Sequence, residues 1–306
     1  MTHLFIINPA AGSRNRSREY SRIIADTCRR RKINYRIEVS RSPGHCRKLA
    51  EFAAKSGKEY RIYACGGDGT LNEIVSGIAG APNVAVTLFA AGSGNDFIRI
   101  FNDPKPFRDL NALLDCEETR FDLIACNNAY ALNIMSVGLD ARIGTDVASF
   151  KRMPLLQGFR AYAASALINV IKGIGEHYRV EINGRTVDRE LTLVCACNGR
   201  YYGGGFNPVP EADPCDGMLD VLLVKKVSRV KVAAAIKKYK NGQYAHFPDL
   251  IHHEKTDHLV IHCDKPTPVN LDGELQYAEV LDIRVIPKAI RFFYPKGLTY
   301  NSAGKK

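Results

Sequence analysis

The chain reads as an α/β protein followed by a β-rich half: a Rossmann-like N-terminal domain with a parallel sheet, then an antiparallel β-sandwich. Three observations predict this. From residue 3 to residue 97, short apolar runs alternate with amphipathic helical stretches, the pattern of a parallel sheet covered on both faces. Two of those runs empty into glycine turns, Gly66-Gly67-Asp68-Gly69-Thr70 and Gly92-Ser93-Gly94-Asn95-Asp96. Beyond Phe121 strand-like runs follow one another and helical periods become rare.

Residues 3–7 form a short apolar strand that ends in a turn cluster, Asn8-Pro9-Ala10-Ala11-Gly12-Ser13. The spacing predicts a helix over 17–31, with Tyr20, Ile23, Ile24 and Thr27/Cys28 on one face and the arginines on the other. Residues 35–39 alternate as a strand. Ser42-Pro43-Gly44 opens a second helix with an apolar face of Leu49, Phe52 and Ala53. A third strand, 61–65, feeds the first glycine turn. Thr70 and Glu73 have the T-x-x-E spacing of a capping box, which predicts a helix over 70–79. A strand at 84–89 then leads to the second glycine turn. In the β-rich half, strands are expected at 121–126, 130–136, 178–182, 191–197, 219–225, 258–263, 281–285 and 289–294, interrupted by helices at 155–174 and 228–242.

At 306 residues the chain is long enough for two domains. No run approaches the length of apolar sequence that a transmembrane helix needs. The N-terminus carries no basic region before its apolar stretch and reads as a strand, not a signal peptide. The nine cysteines include no C-x-x-C pair, and Cys195 and Cys197 share one face of a strand. They read as small buried hydrophobes of a cytoplasmic protein. The net charge of +11 is uneven, since residues 1–63 hold 15 Lys/Arg against 5 Asp/Glu. A second basic stretch, 221–248, carries Lys225, Lys226, Arg229, Lys231, Lys237, Lys238 and Lys240 with no acid. Separated basic regions suit a polyanionic surface or simply a solvated face. Nucleic acid is disfavoured, because the basic residues are not interleaved with stacking aromatics and no recognition motif occurs.

The first glycine turn sits between a strand and a helix start. Its bare backbone and the helix dipole suit a phosphate, and Asp68 beside that phosphate calls for a cation such as Mg²⁺. The spacing is neither that of a P-loop nor G-x-G-x-x-G. Both glycine turns follow strands, so they fall at the carboxyl edge of the sheet, where open α/β sheets bind ligands. In the β-rich half, Asn198-Gly199-Arg200-Tyr201-Tyr202-Gly203-Gly204-Gly205 reads as a glycine-rich bend. Asp213-Pro214-Cys215-Asp216-Gly217-Met218-Leu219-Asp220 reads equally as a cation-holding turn and as an Asx turn. Asn270-Leu271-Asp272-Gly273-Glu274 sets two carboxylates in a turn, either a hairpin turn or a base with its charge partner.

In order along the chain, Gly66-Gly67-Asp68-Gly69-Thr70-Leu71-Asn72-Glu73, the Gly-x-Gly-Asn-Asp-Phe run at 92–97, Asn198 with Gly203-Gly204-Gly205, the Asp-Gly-x-Leu-Asp at 216–220 and Asp272-Gly273-Glu274 resemble the motifs of diacylglycerol-kinase-type lipid kinases. The chain is similar to a soluble bacterial member over nearly its full length. The glycine–aspartate motif alone is shared with NAD kinases and is similar to one in phosphofructokinases. The triple glycine and Asp272-Gly273-Glu274 favour the lipid kinases.

The resemblance implies ATP bound between two domains, with 291–306 returning to an α/β domain of 1–121 and with 122–290 as the lipid-substrate domain. It implies that Asn8, Pro9, Gly12, Ser40, Gly66, Gly67, Asp68, Gly69, Thr70, Leu71, Asn72, Ser93 and Asn95 bind the nucleotide. Ser40 and Ser93 stand where threonine is common, and the hydroxyl is kept. Asp68, Asp96 and Asp122 would organise a catalytic Mg²⁺, while Asp213, Asp216 and Met218 would hold a second, structural one. Asp272 would be the general base, with Glu274 beside it and Asp68 in the catalytic set. The implied partners are ATP and a lipid in an anionic membrane surface, with a homodimer as a weaker implication and a cytoplasmic, transiently peripheral location. The stripe Leu156, Phe159, Ala163, Leu167, Val170 and Ile174, flanked by Lys151, Arg152, Arg160 and Lys172, would contact either that membrane or the sandwich itself. The same motifs leave open a soluble-substrate kinase of the NAD-kinase type and a non-catalytic nucleotide sensor that binds membranes.

Overall fold

The computed structural model describes residues 1–12, 14–92, 94–142 and 175–300, without the side chains of Arg229 and Ala233. The expected helix 155–174, its apolar stripe and Ser93 lie outside the described residues.

The N-terminal half is the predicted alternation: β1 (Thr2–Ile7), α1 (Ser17–Arg30), β2 (Tyr35–Val39), α2 (His45–Lys55), β3 (Tyr60–Gly66), α3 (Asp68–Ile78) and β4 (Val84–Ala90). β1 lies between β2 and β3, all parallel, with Phe5 opposite both Ile37 and Tyr63, and β4 continues the sheet beside β3. The strand order therefore reverses between β1 and β3, the point where such sheets open a crevice for ligands.

Two helix faces differ from expectation. Ile23 is 40% exposed and Phe52 64% exposed, while α2 turns Cys46, Ala50 and Ala53 inward. The reason is a close helix crossing: a Cβ on Gly77 of α3 would lie 2.6 Å from Arg47 O and 3.0 Å from Ala50 Cβ, so only small residues fit between α2 and α3. The capping box is also absent. α3 begins at Asp68, placing Thr70 inside its first turn. The Glu73 carboxylate instead accepts the N–H groups of Gly44 (3.0 Å) and Cys46 (3.1 Å), capping α2 with a negative charge at its N-terminus.

After the short α4 (Leu110–Leu114), the chain enters β5 (Cys116–Cys126), β6 (Ala129–Ala131) and β7 (Ile134–Gly138). Then come β8 (Glu176–Ile182), β9 (Arg185–Cys197), β10 (Leu219–Lys225), α5 (Arg229–Lys240), β11 (Ile251–Thr256), β12 (His258–Leu271) and β13 (Glu274–Pro295). The expected strand 130–136 is two strands, and the expected strands 281–285 and 289–294 are one. β11 was not foreseen, because its edge sequence Ile-His-His-Glu-Lys-Thr is mostly polar. β8 pairs with both β9 and β12, folding the antiparallel sheet back over an inner core that includes Tyr178, Val194, Ile261 and Leu281. This is the sandwich.

β13 joins the two halves. Its first part pairs antiparallel with β12, and its last part runs parallel to β4, Arg291 opposite Ala85. Ile290, Phe292, Phe293 and Tyr294 consequently pack in the same core as Phe5, Tyr63 and Phe97. No helix among the described residues is long and apolar enough to cross a membrane.

Candidate active site

The parallel strands release their turns at one edge, and those turns line an open cleft of about 790 Å³. β1 delivers Asn8, Pro9 and Gly12, and β2 delivers Ser40. β3 and the start of α3 deliver Gly67, Asp68, Gly69 and Thr70, and Gly92 and Gly94 follow β4. Glu274, from the turn between β12 and β13, closes the wall from the other half of the molecule. Asn8 ties the first two turns together: its Nδ2 donates to Thr70 Oγ1 at 2.9 Å and its N–H to Cys65 O at 3.0 Å. Side chains are barred at the crossing of the glycine turns, where a Cβ on Gly92 would meet Gly67 Cα at 2.6 Å. The cleft floor is therefore backbone, as close approach to phosphate requires.

The remaining nucleotide-motif residues support this floor. Gly66 O accepts from the N–H groups of Ala91 (2.8 Å) and Gly92 (3.0 Å). Leu71 is core, Asn72 donates to Leu271 O at 3.4 Å, and buried Asn95 donates from Nδ2 to Gly92 O at 2.9 Å.

Three sets of acids were singled out, and the structure separates Asp122 from the first. Asp68 and Asp96 are brought together: the Asp96 N–H donates to Asp68 Oδ1 at 2.5 Å. Asp96 also reaches across the molecule, accepting the Gly204 N–H at Oδ2 (2.7 Å) and pairing with Arg99 Nε at Oδ1 (3.1 Å). Burial pushes both carboxyls above their usual range, and for Asp96 the Asp68 charge adds to it. Two adjacent acids with raised pKa and a bare-backbone cleft fit a divalent cation with its phosphates.

Asp122 sits elsewhere. It plugs the bulge where β5 and β13 slip register between Ile286 and Ile290. Its oxygens accept the N–H groups of Lys288 (2.7 Å) and Gly217 (2.8 Å), joining it to the 213–218 turn. In that turn Asp213 Oδ1 accepts from Cys215 N–H (3.1 Å) and Asp216 Oδ1 from Met218 N–H (3.0 Å), while Asp216 Oδ2 meets Lys255 Nζ at 2.6 Å. Among the described residues no three His, Cys, Asp or Glu side chains are grouped to hold a metal ion. Asp213 and Asp216 thus each give one oxygen to a backbone N–H within the turn.

Asp272 occupies the turn after β12 with φ +51°. Its carboxylate accepts the N–H groups of Leu132 (2.6 Å), Asn133 (3.0 Å) and Ile134 (2.9 Å). These donors are what divides the expected strand 130–136. Desolvation outweighs those three bonds and, with the nearby Asp68 charge, pushes the Asp272 carboxyl up to about 6. The Asn133 N–H is shared between both oxygens, at 3.1 Å to Oδ1 and 3.0 Å to Oδ2, so each oxygen accepts from two amides. Asn198 fixes the Asp272 cradle, donating to Leu132 O (2.7 Å) and Asp122 O (3.0 Å). Sequence reasoning missed the Leu132–Ile134 amides, Arg99 and the role of Glu73. Only Arg99, three residues after Asp96, had a local signal.

Residues 2–126 match the model of the diacylglycerol kinase catalytic domain, and residues 133–294 match that of the YegS C-terminal NAD kinase beta sandwich-like domain. A Staphylococcus carnosus protein that carries a lipid-kinase name is 23% identical over 84% of this chain and 85% of its own length. One from Staphylococcus aureus (strain MSSA476) with a similar name is 25% identical over 75% of each. A Bacillus anthracis structure described as a diacylglycerol kinase superposes with a TM-score of 0.68 at 19% identity, covering 96% of this chain and 97% of that one. Another from the same organism, also named for diacylglycerol kinase, reaches 0.77 at 20% identity over 97% and 98%. Those structural likenesses carry the two-part fold, and the two family models together span the chain from the glycine turns to the end of β13: the protein belongs to the diacylglycerol kinase family of lipid kinases.

Proposed function

We propose that the protein transfers the γ-phosphoryl group of ATP to a hydroxyl of a membrane lipid, diacylglycerol foremost, giving phosphatidic acid. The observation that carries this reading is Asp272, a carboxyl raised to about 6 on the turn whose Glu274 walls the glycine-lined cleft. A base of that strength is ionised at neutral pH and accepts the hydroxyl proton as the phosphoryl group is attacked. The bare backbone of the glycine turns would hold the phosphates in line with that hydroxyl, and positioning supplies most of the rate. Mg²⁺, when bound, would neutralise phosphate charge, with Asp68 and Asp96 the residues to hold it. The unit boundaries proposed are 1–121 with 291–306 for the nucleotide and 122–290 for the lipid.

A lipid acceptor is favoured by an apolar cleft between β9, β10 and α5, lined by Leu193, Phe206, Val232, Ile236, Phe247 and Leu250. At its wall Asp140 accepts from Ser136 Oγ (2.7 Å) and Asn270 Nδ2 (3.3 Å), and Asn270 Oδ1 accepts the Gly273 N–H at 2.8 Å. A short polar run thus leads from this apolar cleft to the Asp272 turn. The exposed Lys231, Lys237 and Lys238 of α5 suit an anionic leaflet, at about 1 kcal/mol for each residue near the surface.

The test is transfer of γ-labelled phosphate to diacylglycerol presented in vesicles with anionic lipid. Label is expected in the organic extract with the native protein and at background with Asp272→Asn. Label that appears only in a water-soluble product, with NAD as acceptor, would sink the lipid reading.

A further inference from the structure

The turn 213–218 and the start of β10 gather Asp213, Asp216 and Asp220, with Asp122 against them. Asp220 is fully buried, and such a carboxylate is tolerated only with a counter-charge. Its Oδ1 meets His253 Nε2 at 2.7 Å, and its Oδ2 faces Lys255 Nζ at 3.4 Å. Lys255 stands directly across from Asp220 in the β10–β11 pairing, and the same ammonium reaches Asp216 Oδ2 at 2.6 Å. One cation therefore bridges two carboxylates, and its charge is also felt by Asp213. The turn so held carries the joint between the halves: Gly217 N–H and Pro214 O both bind Asp122, the plug of the β5–β13 bulge.

We propose that the Lys255 ammonium is the resident cation of this turn, standing in for the second Mg²⁺ that the motif resemblance implies there, so that the joint closes without metal. An ammonium donates three hydrogen bonds from a point charge, which suits two converging carboxylate oxygens. Register supplies it: β11 enters antiparallel to β10 and brings residue 255 to residue 220 regardless of metal supply. The protein then needs divalent cation only where its nucleotide sits.

The experiment is thermal unfolding of the full-length, nucleotide-free protein in EDTA and in millimolar Mg²⁺ or Ca²⁺. The native protein is expected to melt at the same temperature in all three. Lys255→Met is expected to melt about 2–5 °C lower in EDTA, because buried Asp220 loses the charge that faces it, and to recover at least half of the loss with either cation. Adding Asp216→Asn to Lys255→Met should abolish the recovery. Native protein that loses stability in EDTA, with Asp213→Asn removing the effect, overturns the proposal. So does a Lys255→Met protein as stable as the native one, or one whose loss no divalent cation restores. Should Lys255→Met fail to fold, calorimetric titration of the native protein and Asp216→Asn with Mg²⁺ alone decides the matter. Equal heats support the proposal, and a site present only in the native protein overturns it.

Discussion

Two clusters of acids, one beside the glycine turns and one at the turn before β10, are built differently. Asp68 and Asp96 are held by backbone N–H groups and flank a floor of glycine. Arg99 pairs with one of them from the rim. Asp216 and Asp220 are instead bridged by Lys255, with His253 behind Asp220. The first cluster suits the proposed role of a site for a mobile ligand, since backbone dipoles orient an acid without filling the space in front of it. The second is a closed structural joint, since side-chain charges fill the space they neutralise. Motif alone groups both as acids beside glycine, whereas the identity of the partners separates them.

The largest effect that would break this contrast is at the base. Asp272→Asn is expected to lower kcat by about 10²–10⁴-fold with little change in the KM for ATP, measured as label transfer to lipid. A retained kcat would remove Asp272 from the chemistry. The pH profile sharpens the same point. The carboxyl must be ionised to accept a proton, and its pKa is raised to about 6. Hence kcat/KM should fall about tenfold per pH unit below that value and level off above it. A profile flat down to pH 4.5 would count against it.

Next in size is the glycine crossing. Gly92→Ala places a Cβ 2.6 Å from Gly67 Cα, backbone that cannot swing aside. A loss of about 1–3 kcal/mol in denaturant-derived stability is expected, with nucleotide binding weakened alongside. Glu73→Ala should be smaller, about 1 kcal/mol, because it removes the charged cap from α2 but leaves α3 and the cleft floor in place. Its checks are the melting temperature, about 2–4 °C lower, and an unchanged kcat. A large kcat loss in Glu73→Ala would show that capping α2 also sets the site.

Much of this was legible beforehand. The βα alternation, both glycine turns and the strands of the sandwich announce themselves through local period and turn chemistry. What was not legible has a common cause. The 130–136 run breaks at Leu132-Asn133 because its N–H groups serve a carboxylate some 140 residues away. Thr70 and Glu73 satisfy a local capping rule, yet α3 packs so close to α2 that Glu73 serves the neighbouring helix. Phe52 has the right spacing for a core face, yet the Gly77 crossing admits only small residues there.

By itself, then, the sequence determined the order and kind of the elements, the bare backbone at two strand ends and the supply of acids, because these follow from propensities and periodicities within a few residues. The tertiary structure alone decided what each acid does. Hydrogen bonds and ion pairs act over a few ångströms; the packing of turns brings Asp272 to Leu132 and Asp96 to Gly204, and strand register brings Lys255 to Asp220. No local rule encodes those meetings, and they divide the acids between a site and a joint.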